Sequence, residues 1–380
     1  MTILSNGHQW KFSEFLNNKN YSFDKQQILN TLSEKEIDDA YSSISKWNGY
    51  APTPLISLNK LSKELNLKNI YYKDESKRFN LKSFKALGGA FAVYKIASEK
   101  NNITVSTATA GNHGRSVAWG AQRLGLKCKI FISEFVSESR AEAMRKLDAE
   151  VIRVKGNYDN SLKECIKQSK ENNWEIVQDV SWEGYKEVPK LIMAGYTIMI
   201  KEILDEVKSN SISHVFLQAG VGGMAAAMIA GFAKLSQNIP KFIIVEPENA
   251  DCVFQSIKNN KPTSVDIKKE TVMGGMSCGD VSSIAWEILK NSTNYCLTIS
   301  DEAISTTVAL LAEKRLSDEK IIAGECAVPG IIALISSFNN KEYLDKLELN
   351  EQSNVLLFGC EGLTDSAMYQ KLLSDGLQKI

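Results

Sequence analysis

The feature that most constrains the fold is an alternation that begins at Asn69. Strand-like "NIYYKDES" leads into a helical stretch whose apolar stripe, Phe84, Leu87, Phe91 and Tyr94, recurs at helical spacing. "ITVSTATA" precedes "RSVAWGAQRLG", with Val117, Ala121 and Leu124 on one face. "KCKIFIS" precedes "SESRAEAMRKLDA", "AEVIRVK" precedes "SLKECIKQSKENN", and "WEIVQDV" closes the run as a further strand. Strand-then-helix units at this spacing predict a parallel sheet with right-handed crossovers. A second set begins with a long helix from about Lys186 to Val207. It continues with strand "HVFLQAG", a helix from Gly223, strand "KFIIVEPE", a long irregular stretch, and late strands near Tyr295 and Val355. The chain of 380 residues exceeds what one hydrophobic core usually holds. The expected fold is therefore α/β, two doubly wound sheets with a cleft between them. Such folds place ligands at the carboxyl ends of the strands.

Charge and composition narrow the chemistry. Lys plus Arg and Asp plus Glu balance at 45 each, which gives no electrostatic footprint for nucleic acid or an anionic membrane. The seven cysteines (Cys128, Cys165, Cys252, Cys278, Cys296, Cys326, Cys360) are scattered and form no CxxC pair. This argues for a reducing compartment and against a disulfide framework or zinc site. With only His8, His113 and His214, a histidine-rich metal site is not expected either. No apolar run approaches the ~20 residues of a membrane span, and "MTILSNGHQWKF" lacks a signal-peptide pattern. A cytoplasmic protein acting on small molecules, without metal, is the expectation.

Three stretches sit where strands give way to helices. In "QAGVGGMAAAM" (Gln218 to Met228) a glycine loop opens a helix. Glycine permits positive φ and close backbone approach, and the exposed N–H groups with the helix dipole suit a phosphate. The pattern is neither GxxxxGK[ST] nor GxGxxG at the required spacing, so a nucleotide is not favoured; a tight turn with close helix packing is the other reading. In "TATAGNHGRSVAWG" (Thr107 to Gly120), Asn112 and His113 sit at the turn. Asn112 reads equally as a helix cap, and His113 as a core histidine. In "NLKSFKALGGA" (Asn80 to Ala90), Lys82 and Lys85 lie at a helix start, the unfavourable end of the dipole for a cation. Either both face water or one is held there for chemistry. With Ser83 as cap, Lys85 falls in the first turn, where the helix terminus and burial would depress its pKa. A neutral amine is what Schiff-base chemistry needs. Taken together, the three stretches point to an aldehyde cofactor with a phosphate tail, pyridoxal 5'-phosphate.

"SFKALGG", "AGNHG", "GVGGM" and "EPENADC" together resemble the tryptophan-synthase-like (fold type II) pyridoxal-phosphate enzymes. Within them, "YAPTPL", "YYKDESKRFNLKSFKALGG", "VQDVSWEGYKEVP", "VMGGMSCGD" and "GCEGLTD" are similar to the diaminopropionate ammonia-lyase family. The resemblance implies a larger cofactor-phosphate-binding domain from residues 1–88 plus 190–380, and a small inserted α/β domain at 89–189. It implies Lys85 as the Schiff-base lysine and Cα base, and Asn112 on the cofactor's ring hydroxyl. Gly220, Val221, Gly222, Gly223 and Met224 are implied as the phosphate loop, and Cys360 beside the pyridine nitrogen. His113 and Asp179 align with residues facing the substrate. The implied reaction is α,β-elimination of a small amino acid, 2,3-diaminopropionate, to pyruvate and ammonia, by a homodimer. One position departs: that family usually carries an aspartate directly before Gly-Asn-His-Gly, expected to act on the D-isomer, and here the residue is Ala110. The L-isomer is therefore favoured. A β-replacement synthase, or a serine or threonine dehydratase acting on a related β-substituted alanine, is the alternative.

Overall fold

The computed structural model describes residues 9–207 and 212–380; His8 and the first part of the N-terminal stretch lie outside the described residues. Eleven strands form two sheets: β1 (Phe12–Asn17), β2 (Leu55–Ser57), β3 (Asn69–Asp74), β4 (Thr104–Ala108), β5 (Lys127–Ser133), β6 (Glu150–Val154), β7 (Glu175–Ile176), β8 (His214–Gln218), β9 (Lys241–Pro247), β10 (Tyr295–Ile299) and β11 (Asn354–Gly359). The seven-stranded sheet runs β1-β10-β9-β8-β11-β3-β2, and the four-stranded sheet runs β6-β5-β4-β7. The small sheet is wholly parallel. In the large one, β10, β9, β8, β11 and β3 are parallel, while β1 and β2 pair antiparallel at the two edges. Every residue of β8 and β11 is buried, as expected of parallel strands covered on both faces. The covering helices are as apolar as the strands: Gly223–Leu235 is buried from Gly223 to Ala233, and Pro329–Ser337 throughout.

The sequence pattern and the structure part company at definable places. β3, first in the sequential run, leaves it and pairs with β11 in the large sheet. "WEIVQDV" contributes only the two residues of β7. The helix expected from Lys186 to Val207 is two, Glu187–Tyr196 and Ile198–Glu206, meeting at Thr197. The Thr197 hydroxyl bonds back to Ala194 O at 2.6 Å, the local competition with the helix ladder that such side chains offer. Leu124, placed on the apolar face of its helix, caps the helix instead and is 41% exposed. Among the described residues, no helix is long and apolar enough to cross a membrane.

The segment that delivers Lys85 is built in two layers. Beneath it lies a buried ionic network. Glu202 accepts from Arg78 Nη1 and Nη2 at 2.8 and 2.7 Å and from Lys73 Nζ at 2.6 Å. Arg78 also forks onto Glu75, with both contacts at 2.8 Å, and the Tyr50 hydroxyl donates to Glu202 at 2.9 Å. Two cations and two carboxylates balance, so burial leaves no net charge to neutralise. Above it, Phe79, Asn80 and Lys82 all take left-handed φ (+47°, +59°, +61°). For a phenylalanine this conformation is strained. It is held by the ring's packing against Trp119 (centroids 4.7 Å), Trp47 (6.0 Å) and Tyr50 (6.3 Å).

Candidate active site

The stretches singled out above follow β3, β4 and β8, and the ends of β11 and β7 meet them. The helix Lys85–Glu99 starts with Lys85 itself. The N-cap is Phe84 and not Ser83 as expected, although Ser83 Oγ does accept from Lys85 N–H at 3.3 Å. The backbone then locks the residues before Lys85 onto the end of β11. Phe84 N–H donates to Cys360 O (3.0 Å), Gly362 N–H donates to Lys82 O (2.9 Å), and Ser83 bridges Glu361 antiparallel. Glycines let the helix sit close to its neighbours: a Cβ at Gly88 would fall 2.5 Å from the Tyr196 ring, and one at Gly89 2.5 Å from Ser116 Oγ.

Lys85 Nζ reaches Asp179 Oδ2 at 2.5 Å. Asp179 is set there by its neighbour: Gln178 uses its side-chain amide to continue the pairing of β4, accepting from Ala108 N–H (3.1 Å) and donating to Ala108 O (3.0 Å). The pKa expected for Lys85 is reversed by this arrangement. Burial presses it down most strongly, but the charge and hydrogen bond of Asp179, together with Tyr196 and Cys278, hold Lys85 above the usual lysine range as an ammonium. Burial pushes Asp179 the other way, and His113 and Lys85 together hold it well below the usual carboxylate range. Burial lowers His113 with the Lys85 charge adding to it, against the opposing pull of Asp179 and the Val177 carbonyl. Its Nε2 donates to Val177 O at 2.8 Å, which leaves Nδ1 bare, unpartnered and 3.7 Å from Asp179 Oδ2. Lys85, Asp179 and His113 thus form one contiguous group.

Asn112 is the first residue of the helix Asn112–Arg123, and it does not cap it. Thr109 closes the turn, accepting from Gly111 and Gly114 N–H at 3.0 and 3.2 Å. The Asn112 side chain is free to donate elsewhere, and it does so to Glu361 Oε2 at 2.5 Å. After β8, the loop Gly220–Met224 turns through Gly222 at φ +87°, and the helix Gly223–Leu235 begins without a side-chain cap. Its first N–H groups therefore lack intrahelical partners. Cys360, at the end of β11, is buried and donates to Cys326 O at 3.1 Å. Burial first, then the adjacent Glu361, pushes its thiol well above the usual range, so it is neutral.

The sequence family of pyridoxal-phosphate dependent enzymes matches residues 46–361. The chain belongs to the pyridoxal-phosphate-dependent enzymes. It is 34% identical over 353 residues to diaminopropionate ammonia-lyase of Escherichia coli K12, covering 86% of this chain and 88% of that protein. A crystal structure of the E. coli lyase carrying an aminoacrylate–PLP azomethine reaction intermediate superposes with a TM-score of 0.89. It has 32% identity and covers 96% of this chain and 98% of the other. The same lyase in complex with D-serine gives 0.89 at 31% identity, over 97% and 98%. The fold is that of the fold type II enzymes, and the cofactor is pyridoxal phosphate.

This family's cofactor fits the residues present. A Cβ at Gly220 would approach Cys278 Sγ at 3.1 Å and Gly275 O at 3.2 Å, so the loop packs tightest with glycine there. A Cβ at Gly223 would meet nothing nearer than Asp179 O at 3.8 Å, so the helix start opens toward the cleft that Lys85 faces. Those N–H groups would hold the cofactor's phosphate, and Lys85 would hold its aldehyde. Several neighbours of this candidate site carry no signal in the sequence reading. Cys278 lies against Gly220, its thiol pushed up to about 12 by burial and Asp179, with Lys85 opposing. Phe84 and Tyr196 present ring faces to Lys85 Nζ at 5.2 and 5.7 Å. Glu361 grips Asn112, and Arg140 donates to Ala110 O at 3.3 Å while pairing with Glu325 (3.1 Å) and Asp365 (3.3 Å). Cys278 and Glu361 lie inside stretches quoted above, "MSCGD" and "GCEGLTD", but nothing in their spacing distinguishes them from core residues. Tyr196 and Arg140 carry no local signal at all.

Proposed function

We propose that this enzyme eliminates ammonia from 2,3-diaminopropionate, the L-isomer favoured, and yields pyruvate and ammonia. The observation that carries the reading is the Lys85–Asp179 pair beside the glycine cradle, in a chain with an alanine at position 110. The 34% identity to the E. coli lyase supports the substrate class, and the D-serine complex of that lyase supports a small amino acid as ligand. In this reading Lys85 holds the cofactor's aldehyde, Asn112 Nδ2 its ring hydroxyl oxygen, and Gly220–Met224 its phosphate, with Cys360 at the pyridine nitrogen. Bound pyridoxal phosphate supplies a π-system that stabilises negative charge at a substrate Cα. With its amine free, Lys85 Nζ would take the proton from a substrate Cα, and Asp179 Oδ2 would stabilise the ammonium so formed. The same ammonium returns its proton to the departing ammonia, which leaves only when protonated. His113, anchored to Val177 O, stands beside Asp179 at 3.7 Å and faces the same cleft. The substrate would lie between two bodies, residues 1–88 plus 190–380 and residues 89–189, in a homodimer.

Ala110 decides the stereochemistry. An alanine cannot take a proton, and the side chain beside it is the Arg140 guanidinium. A positioned general base is worth about 10²–10⁴ in rate. Turnover of the L-isomer, followed as pyruvate, is therefore expected to exceed that of the D-isomer by about a hundredfold or more. Ala110→Asp narrows the gap. Comparable rates with both isomers refute the assignment, and a new amino acid formed only on adding a thiol or amine shows β-replacement instead.

A further inference from the structure

We propose that Glu361 is a positioning residue that aims Asn112 at the cofactor. It commits one N–H of the Asn112 amide to the protein and leaves the other for the ring hydroxyl oxygen; this rests on the reading of Asn112 given above. Glu361 is 4% exposed and every carboxylate contact is local to the site. Its Oε2 accepts from Asn112 Nδ2 at 2.5 Å and from Thr364 Oγ1 at 3.4 Å, and its Oε1 accepts from Cys326 N–H at 3.0 Å. The carboxylate seats against a bare Cα, since a Cβ at Gly324 would stand 2.9 Å from Glu361 Cγ and Oε1. Its backbone is part of the bridge to Ser83 that sets the start of the Lys85 helix. One residue therefore touches both the element carrying Lys85 and the side chain of Asn112.

The chemistry is a matter of donors and acceptors. A carboxylate only accepts, so the Asn112 amide must turn its NH₂ and not its oxygen toward Glu361. The second proton of that NH₂ is then fixed in direction. Glutamine has the same shape but both a donor and an acceptor. The Cys326 N–H claims the glutamine oxygen, and its NH₂ then confronts that of Asn112. The asparagine reverses, and a lone pair replaces the N–H that would meet the ring oxygen.

The test is a double-mutant cycle on the dissociation constant for pyridoxal phosphate, measured by titrating apoprotein and following intrinsic fluorescence. Asn112→Ala and Glu361→Gln are each expected to weaken binding about tenfold or more, and the double variant no more than Asn112→Ala alone. Glu361→Asp keeps an acceptor-only group on a shorter stem. It is expected to bind better than Glu361→Gln, whereas a packing role would make aspartate the worse of the two. If Glu361→Gln does not fold, the cycle is run with Glu361→Asp and the same lack of additivity is required. Weakening by Asn112→Ala with wild-type binding in Glu361→Gln, or fully additive losses, overturns the role of Glu361 alone. Wild-type binding by Asn112→Ala overturns the reading of Asn112 itself.

Discussion

Lys85→Ala is expected to lower turnover by at least about 10⁴-fold, roughly 5.5 kcal/mol of barrier at ~1.4 kcal/mol per tenfold. The substitution removes both the amine that holds the aldehyde and the base that reaches Cα. Lys82→Ala is the control. It stands three residues away, and its one described tie to the site, the Gly362 N–H to Lys82 O bond, is backbone and survives the change. Its turnover should stay within about tenfold of wild type. The electrostatics extend the prediction to Asp179. The carboxylate holds Lys85 protonated at neutral pH, so the reactive neutral amine becomes more abundant as pH rises. In Asp179→Asn the carboxylate is gone and burial, which lowers the lysine pKa, is left unopposed by it. Apoprotein of that variant should capture the aldehyde faster at neutral pH, measured by stopped-flow absorbance, while its elimination rate falls. Equal loss in the two lysine variants, or normal turnover in Lys85→Ala, contradicts the assignment.

The second large effect falls on stability. Glu202→Gln keeps the volume but leaves Lys73 and Arg78 buried with Glu75 as the one remaining carboxylate of the network. Breaking a buried ion pair from one side costs about 3–5 kcal/mol, because the stranded charge has lost its compensation. The sign with pH follows from the same contacts. Burial would raise the Glu202 carboxyl, yet Arg78 and Lys73 hold it below its ordinary value. Its stabilisation is therefore present above the pKa of an unfolded glutamate and is lost as pH falls through the lower folded value. Denaturant unfolding of apoprotein at neutral pH checks the magnitude, and a loss under ~1 kcal/mol shows the network to be dispensable. Because Arg78 begins the strained turn that ends at Lys85, a weakened cofactor affinity is expected alongside.

What could be read from the chain follows from the range of the forces involved. Strand and helix alternation is written in local apolar periodicity, so the βα units and the glycine turns were legible. Sheet membership is not local. β3 looks like the first strand of its run but is claimed by β11, which lies almost three hundred residues later. The edge strand β1 is not legible because its partner β10 lies far along the chain, and β2 because it is only three residues long. The long helix broke at Thr197 through a hydroxyl that periodicity does not weigh. In the site, residues with an unusual position for their type were visible: a lysine at a helix start, an asparagine in a glycine turn. The charge on Lys85 was misjudged because its partner, Asp179, comes from another element and reverses what burial and the helix terminus alone dictate. Glu361 and Cys278 went unnoticed for the same reason, since their neighbours are set by tertiary contact.

The most direct measurement is borohydride reduction of purified protein reconstituted with one equivalent of pyridoxal phosphate, followed by peptide mapping. The account predicts a single reduced adduct on the peptide carrying Lys85, absent in Lys85→Ala and intact in Lys82→Ala. An adduct at another lysine, or no adduct in the presence of excess cofactor, contradicts it.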